Sequence, residues 1–240
     1  MAWGGYYFFQ TIDSTNSMAL RWAGSGRSGS YSVCAQMQTE GRGKGGRTWY
    51  SEPGSLSFTL LAFPRRTEDL QILTLACARE VSEAVKEMTG LAARVKWPND
   101  VVIEDLKIAG ILFETRWKGR EATLAIGIGI NCNQTVFPEE IRDSASSLFL
   151  LTSAEVDIKQ LFQSAAQRIY HVLERFDLGD DLSVELACSC ATLGRRVAIT
   201  THHGLVEGTA VSLDPHGSLV VETAEGKREI VQEGDLHYKI

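Results

Sequence analysis

Apolar residues recur at helical spacing over residues 67–90, where Leu70, Leu73, Cys77, Val81, Val85 and Met88 fall near one face and Gly90 suits a C-cap. This is the clearest helix in the chain. A second stripe, built from Ile158, Leu161, Phe162, Ala165, Ile169, Leu173 and Phe176, predicts a helix over about 153–177. Thr152 and Glu155 at its start have the spacing of a capping box. A shorter helix is predicted after the apolar "FFQTI", with Ser14 and Thr15 as cap candidates and Met18, Leu20 and Trp22 following. Between these helices the runs "YSVCAQMQ", "SLSFTLLAF", "ARVKW", "DVVIED", "KIAGILFET" and "ATLAIGIGINC" read as strands. The helical stretch "LSVELACSCATLG" then leads into a different texture. After Gly194 come short strands separated by glycine turns or by Asp-Pro-His-Gly. The expected organisation is a larger unit over residues 1–190 and a small all-β module over 191–240.

Composition narrows the class. The chain has 240 residues, 44% hydrophobic and 22% charged, as in ordinary globular proteins. Its formal net charge of −6 argues against general nucleic-acid binding, although a local basic cleft remains compatible with it. The five cysteines contain no C-x-x-C pair, and the only close pair is Cys188 and Cys190. Free thiols in a reducing compartment are expected, with no disulfide framework or zinc site. The start "MAWGGYYFFQ" lacks the pattern of a signal sequence, and no apolar run is long enough to span a membrane. A cytoplasmic protein without membrane association is the expectation. His202, His203 and His216 lie in turn-like contexts and read as surface residues.

Four stretches carry candidate chemistry. "QTEGRGKGGRTWY", residues 38–50, interleaves glycines with Arg42, Lys44 and Arg47. Glycines let backbone N–H groups approach a ligand, and the cations suit an anion, although a basic flexible loop has the same composition. It is neither a Walker A loop nor a dinucleotide fingerprint. "VKWPNDVVIEDLKIAGILFET" places Lys96, Asn99, Asp100 and Lys107 around a turn. A hairpin there folds Lys107 back toward Asp100, and a lysine opening so apolar a strand needs an anionic partner or ligand. In "IGIGINCN", Gly127 and Gly129 interrupt a buried strand, which suggests close approach of a ligand or another backbone, and Asn131 ends it. "DSTN" offers Ser14, Thr15 and Asn16 as neutral donors and acceptors beside a helix start, suited to an amide-like or urea-like ligand.

Taken in order, D-S-T-N, Q-T-x-G-R-G-x-x-G-R-x-W, K-W-P-N-D, K-I-A-G-I-L and G-I-G-I-N resemble the biotin protein ligase family, and the resemblance covers nearly the whole chain. It implies an α+β fold, with a mixed-sheet biotin/lipoate-ligase-like catalytic domain followed by a small SH3-like β-barrel. It implies an enzyme that makes biotinyl-5′-AMP from biotin and ATP with Mg²⁺. The biotinyl group then passes to one lysine of a biotin carboxyl carrier protein. By the same resemblance Ser14, Thr15, Asn16 and Gln38 hold the biotin head, while Arg42, Gly43 and Lys44 cover its carboxylate and the phosphate. Lys107 meets the reacting oxygens, and Asn131 lies near the phosphates or the metal. Gly41, Arg47, Trp49, Lys96, Asn99, Asp100 and Gly110 belong to the matching motifs. Asp100 is a hypothesis for orienting or deprotonating the attacking amine, the alternative being that it only positions Lys107.

Joining a carboxylate to an α-phosphate brings two anions together. A cation ~4 Å from a charge contributes about 4 kcal/mol at an effective dielectric near 20. Lys107, Arg42 and Lys44 are the expected catalytic cations. Lys44 stands where the family commonly has arginine, so a looser hold on the adenylate is expected. Glu40 adds a negative charge beside the loop. Thirteen residues up to the start of D-S-T-N are too few for the helix-turn-helix of repressor relatives, so action through DNA is not expected. A homodimer is implied by the family. The competing readings are a lipoate or octanoate ligase and a non-catalytic biotin sensor; the D-S-T-N and G-R-G motifs, with Lys107, favour the biotin enzyme.

Overall fold

The computed structural model describes residues 5–26 and 29–239. Residues 1–4, part of the stretch read for a signal sequence, lie outside them. A seven-stranded mixed sheet comprises β1 (Tyr6–Ile12), β2 (Ser32–Gln38), β3 (Leu56–Ala62), β4 (Arg94–Lys96), β5 (Asp100–Ile103), β6 (Leu106–Lys118) and β7 (Glu121–Ile130). The strand order is β1-β2-β3-β7-β6-β5-β4, with β1 and β2 parallel and every other pair antiparallel. Helix α1 (Thr15–Gly24) joins β1 to β2 and packs Ala19 against Val33, Ala35 and Leu61 on one face. Helices α2 (Leu70–Thr89) and α4 (Ile158–Leu178) cover the other face.

The two faces explain the composition of the central strands. Side chains alternate along a strand, so residues two apart share a side. In β3, Leu56, Phe58, Leu60 and Ala62 enter the main core, while Ser57 and Thr59 face the other way. In β7, Leu124, Ile126, Ile128 and Ile130 do the same, leaving Gly127 and Gly129 on the α1 side.

The expected helix α2 is present, ending at Gly90 in the left-handed conformation. The second long helix differs from expectation. Residues 148–152 form a separate short helix, α3 (Leu148–Thr152), closed by Ser153 at φ 57. The longer helix starts at Ile158 and is capped by Asp157, whose carboxylate accepts from Gln160 N–H at 3.0 Å. No capping box links Thr152 to Glu155. Instead Asn133 brackets Val156, its Oδ1 accepting at 2.9 Å and its Nδ2 donating at 3.0 Å. That distant side chain takes the backbone groups that a continuous helix would have used.

After α5 (Ser183–Ser189) come β8 (Arg196–Thr201), β9 (Gly204–Leu213), β10 (Leu219–Glu222), β11 (Arg228–Val231) and β12 (Asp235–Tyr238). They form an antiparallel sheet in the order β11-β10-β9-β8-β12. Its apolar face, with Val197, Ile199, Leu219 and Leu236, joins the core of the first sheet. Trp97 is the joint. It is 1% exposed, its indole N–H donates to the Gly217 carbonyl at 3.1 Å, and its backbone N–H donates to Thr192 Oγ1 at 3.1 Å. Gly217 has φ 89, and a Cβ there would lie 2.7 Å from Ile72 N, so only glycine lets this turn seat on α2.

The same turn places His216 Nδ1 against the Asp69 carboxylate, which raises the imidazole pKa above its ordinary 6.5. A raised folded-state pKa contributes stability that is full below the unfolded value and is lost as pH rises through the folded one. The melting-temperature advantage of the wild type over His216→Gln is therefore expected to be largest below about pH 6.5 and to shrink toward pH 8. A difference that stays constant across that range would rule the pair out as a pH-dependent clamp.

Candidate active site

A cavity of about 360 Å³ opens on the α1 side of the sheet, over the glycines of β7. One end is polar and buried. Ser14 caps α1, accepting from Ser17 N–H at 3.4 Å. Thr15 donates from its backbone N–H and its hydroxyl to Gln38 Oε1, at 2.8 and 3.1 Å. Thr59 Oγ1 lies 2.8 Å from Thr15 Oγ1 and 2.6 Å from Asn16 Oδ1. The Asn16 amide then donates to Glu114 at 2.7 Å and to the Leu112 carbonyl at 3.3 Å. Every member of this network is held by another, which fixes its orientation before any ligand arrives.

Gly127 and Gly129 line the cavity, and the close approach they permit is that of two side chains. A Cβ at Gly127 would lie 2.5 Å from Asn16 Oδ1, and one at Gly129 2.2 Å from the Trp49 ring. The glycines seat the side chains that build the site. Trp49 Nε1 is itself buried with no hydrogen-bond partner among the described residues. A buried donor left unpaired costs free energy, so this one suits a ligand acceptor.

The glycine-rich loop carries hydrogen bonds of its own. Gly43 N–H donates to the Arg47 carbonyl at 2.7 Å and Trp49 N–H to the Gly41 carbonyl at 2.9 Å. Between them Lys44–Gly46 forms a 3-10 turn with Gly45 at φ 68 and Gly46 at φ 77. Gly41 is buried behind the loop and does not line the cavity; a Cβ there would lie 2.5 Å from the Trp49 carbonyl oxygen. It shapes the loop and is not a ligand cradle, which corrects the expectation for that residue. Arg42 lines the cavity and is also tied to its wall. Its guanidinium donates to both Glu114 oxygens at 3.0 Å and to Ser17 Oγ at 3.0 Å. Arg47 pairs with Asp235 of β12 at 3.0 Å. Lys44 is half-buried and lines the cavity, and burial lowers its pKa against the opposing pull of Glu233 and Asp235.

The hairpin of β5 and β6 brings Lys107 and Asp100 together, Nζ to Oδ1 at 2.7 Å, as the turn predicts. Val101 pairs with Ala109 and Val102 with Lys107, so Ile108 is the extra residue of a β-bulge. The bulge turns Lys107 to the side of Gly110, Leu112 and Glu114, away from the core side of Ala109 and Ile111. Its ammonium lies 5.8 Å from the centre of the Trp49 ring. Its backbone is anchored as well. Lys107 N–H donates to the Ser144 carbonyl at 2.8 Å, and the Lys107 carbonyl accepts from Ser146 N–H at 3.1 Å and from Asn131 Nδ2 at 3.3 Å.

Asn131 is thereby committed to positioning. Its Nδ2 also reaches the Ser146 carbonyl at 3.0 Å, and its Oδ1 accepts from Gln134 Nε2 at 3.0 Å. Asn131 lines the cavity but is 4% exposed, and one lone pair of its Oδ1 is taken by Gln134. Asn99 is likewise structural. Its side chain donates to the Ile111 carbonyl at 2.8 Å and its carbonyl accepts from Ile111 N–H, which closes the hairpin. Lys96 lies over the Tyr238 ring at 4.7 Å, and burial lowers its pKa while Asp100 and Asp105 oppose the shift.

Of the expected site residues, all but Gly41 line this one cavity. Sequence reasoning missed Glu114 and Asp235 and the wall formed by Phe137 and Ile141, all of which line the cavity, and Thr59, which lies behind it and holds Thr15 and Asn16. Thr59 carries a readable signal, a polar residue at a non-core position of an apolar strand. Asp235 carries none.

The sequence profile of the biotin/lipoate A/B protein ligase family matches residues 8–131, and that of the biotin protein ligase C-terminal domain matches residues 192–236. The chain is 31% identical over 237 residues to the bifunctional ligase/repressor BirA of Bacillus subtilis, covering 93% of this chain and 71% of that one. It is 32% identical over 232 residues to the biotin–[acetyl-CoA-carboxylase] ligase of Paracoccus denitrificans, covering 91% and 94%. Among solved structures, the biotin protein ligase from Aquifex aeolicus in complex with biotin and ATP superposes with a TM-score of 0.88 at 32% identity, covering 98% of this chain and all of that one.

Proposed function

Since the chain belongs to the biotin/lipoate A/B protein ligase family, we propose how its own residues carry out the biotin ligase reaction. The enzyme activates biotin with ATP to biotinyl-5′-AMP and transfers the biotinyl group to a lysine of its acceptor, the biotin carboxyl carrier protein. The single observation that carries the reading is Lys107. A cation held by Asp100 faces a cavity whose far end is a prearranged polar network, in which the Glu114 carboxylate is paired with Arg42.

The uncharged hydroxyl and amide groups of Ser14, Thr15, Asn16 and Gln38 at that end suit the ureido head of biotin, which donates and accepts hydrogen bonds without charge. Trp49 covers the apolar middle and offers its unpaired N–H. The carboxylate then points toward Lys107 and Lys44, and Phe137 and Ile141 give a nucleobase an apolar wall. In the first step a biotin carboxylate oxygen attacks the α-phosphorus, and pyrophosphate leaves. Lys107 neutralises the meeting anions, contributing about 4 kcal/mol at ~4 Å and an effective dielectric near 20. In the second step the acceptor amine attacks the acyl carbon and AMP leaves. The 2.7 Å pairing supports Asp100 as the group that positions Lys107.

Magnesium fits as an ion carried by the nucleotide. Among the described residues no three His, Cys, Asp or Glu side chains converge, and the Asn131 oxygen is already engaged. Bound with the nucleotide, it would supply charge neutralisation of the departing pyrophosphate. The reading also includes a division near residue 190 into catalytic and C-terminal domains, supported by the second sheet starting at Arg196. It includes action in the cytoplasm and a homodimer, for which the outer edge of β1, with Phe8 exposed, offers a surface.

The test is ATP–pyrophosphate exchange with Mg²⁺, comparing biotin, lipoate and octanoate. Exchange is expected with biotin alone. Exchange with lipoate or octanoate instead would replace this reading with the sister activity, and biotin binding without exchange would replace it with a sensor.

A further inference from the structure

The loop carries three cations at Arg42, Lys44 and Arg47, and the fold treats them differently. Arg42 is held by Glu114 and Ser17 on the first sheet and α1 side. Arg47 is held by Asp235 at the start of β12, in the second sheet, and also donates from Nε to the Lys44 carbonyl at 3.0 Å. Lys44, between them, has no carboxylate within ion-pair distance among the described residues, although Glu233 and Asp235 act on it from further off. It is half-buried and faces the cavity.

We propose that Glu114 and Asp235 are positioning residues that strap the loop down at its two ends, leaving Lys44 as the one loop cation free to meet the ligand's anion. The inference rests on the ligase reading, because it assigns roles within that site. The physical case is a division of charge. All three Arg42 contacts leave from Nη2, so the half-buried Glu114 carboxylate fixes where the guanidinium sits and offsets its charge, whereas no near carboxylate offsets the charge of Lys44. The two anchors also differ in strength. The Arg42–Glu114 contact is 38% and 30% exposed and has Ser17 and Asn16 as further partners. The Arg47–Asp235 contact is 62% and 58% exposed, in the range where ion pairs contribute little.

The strap spans both sheets. Asp235 belongs to a module seated on the first sheet by Trp97 and Gly217. Tyr238, three residues on, is held between Lys96 and Arg195, with Arg195 Cζ 3.4 Å from its ring centre. The footing under the outer anchor is therefore fixed, and it is the loop that moves when the anchor is cut. Glu114 has a second duty, since it accepts from the Asn16 amide at the polar end. One carboxylate thus couples head recognition to loop closure.

The test uses the full chain and two readouts. The first is hydrogen exchange at the Gly43, Arg47 and Trp49 amides, all bonded within the loop, measured without ligand. The second is release of biotinyl-5′-AMP from enzyme that has made it. Asp235→Asn is expected to speed both by about two- to fivefold, and Glu114→Gln by about tenfold. Lys44→Ala is expected to slow adenylate formation instead, with loop exchange moved by less than about twofold. The charge-exchanged pair Arg47→Asp with Asp235→Arg is expected to restore loop protection. Unchanged exchange in both Glu114→Gln and Asp235→Asn overturns the strap. So does a loss of adenylate formation in Arg42→Gln equal to that of Lys44→Ala while Glu114→Gln is silent. If the wild type makes no biotinyl-5′-AMP, the ligase reading fails, and the exchange data alone still decide whether the loop is strapped.

Discussion

Replacing Lys107 with alanine is expected to lower biotin-dependent ATP–pyrophosphate exchange by about 10²- to 10³-fold, the usual cost of removing one prearranged electrostatic stabiliser. The residue is suited to so large an effect. Its ammonium is paired with Asp100 at 2.7 Å, its backbone is held at both N–H and carbonyl, and a bulge at Ile108 directs it into the cavity. Biotin affinity is expected to change by only a few-fold, because the neutral head is recognised elsewhere and the interaction lost belongs mainly to the transition state. Lys107→Arg is not expected to rescue, since a planar fork replaces a compact ammonium beside Asp100. Isothermal titration with biotin and exchange assays on the same preparations separate the two effects. Near-normal exchange in Lys107→Ala, or a loss confined to biotin affinity, would remove Lys107 from the chemistry.

The second large effect concerns stability. Trp97→Ala is expected to destabilise the protein by about 3–5 kcal/mol, the range for deleting a large buried aromatic side chain. At roughly 2–4 °C per kcal/mol for a chain of this size, the melting temperature falls by about 6–20 °C. Trp97 is 1% exposed and its indole N–H occupies the Gly217 carbonyl, so alanine leaves both a cavity and an unpaired acceptor. Trp97→Phe keeps most of the packing and isolates the hydrogen bond, with about 1–3 kcal/mol expected. Urea unfolding of the three proteins tests this. A cost below about 1 kcal/mol for Trp97→Ala would mean that the two sheets are joined chiefly elsewhere.

Much of this was legible from residue order. The apolar stripe of α2 and its Gly90 cap follow from local spacing, and so do the six strands β2 to β7. The site motifs were legible too, because residues close in sequence stay close in a turn: Asp100 and Lys107 meet across one hairpin, and Ser14 to Asn16 share one helix start. The start of α4 was misread. The capping-box spacing at Thr152 is local, but Asn133, a residue of another segment, had already taken the Val156 backbone.

What the sequence alone determined, then, is which residue types are available and which short-range geometry they prefer. It did not contain the side of the sheet that Lys107 faces. Simple alternation from Ala109 and Ile111 points it into the core, and only the pairing of β6 with β5 creates the bulge that reverses it. It did not separate three loop cations of similar appearance, because Glu114 and Asp235 arrive from strands far along the chain. The glycines of β7 made sense only once Asn16 and Trp49 were seen lying on them. Local preference acts through a few neighbouring dihedrals, whereas charge partners and close approach depend on strand register and on the docking of separate elements, which exist only when the whole chain is folded.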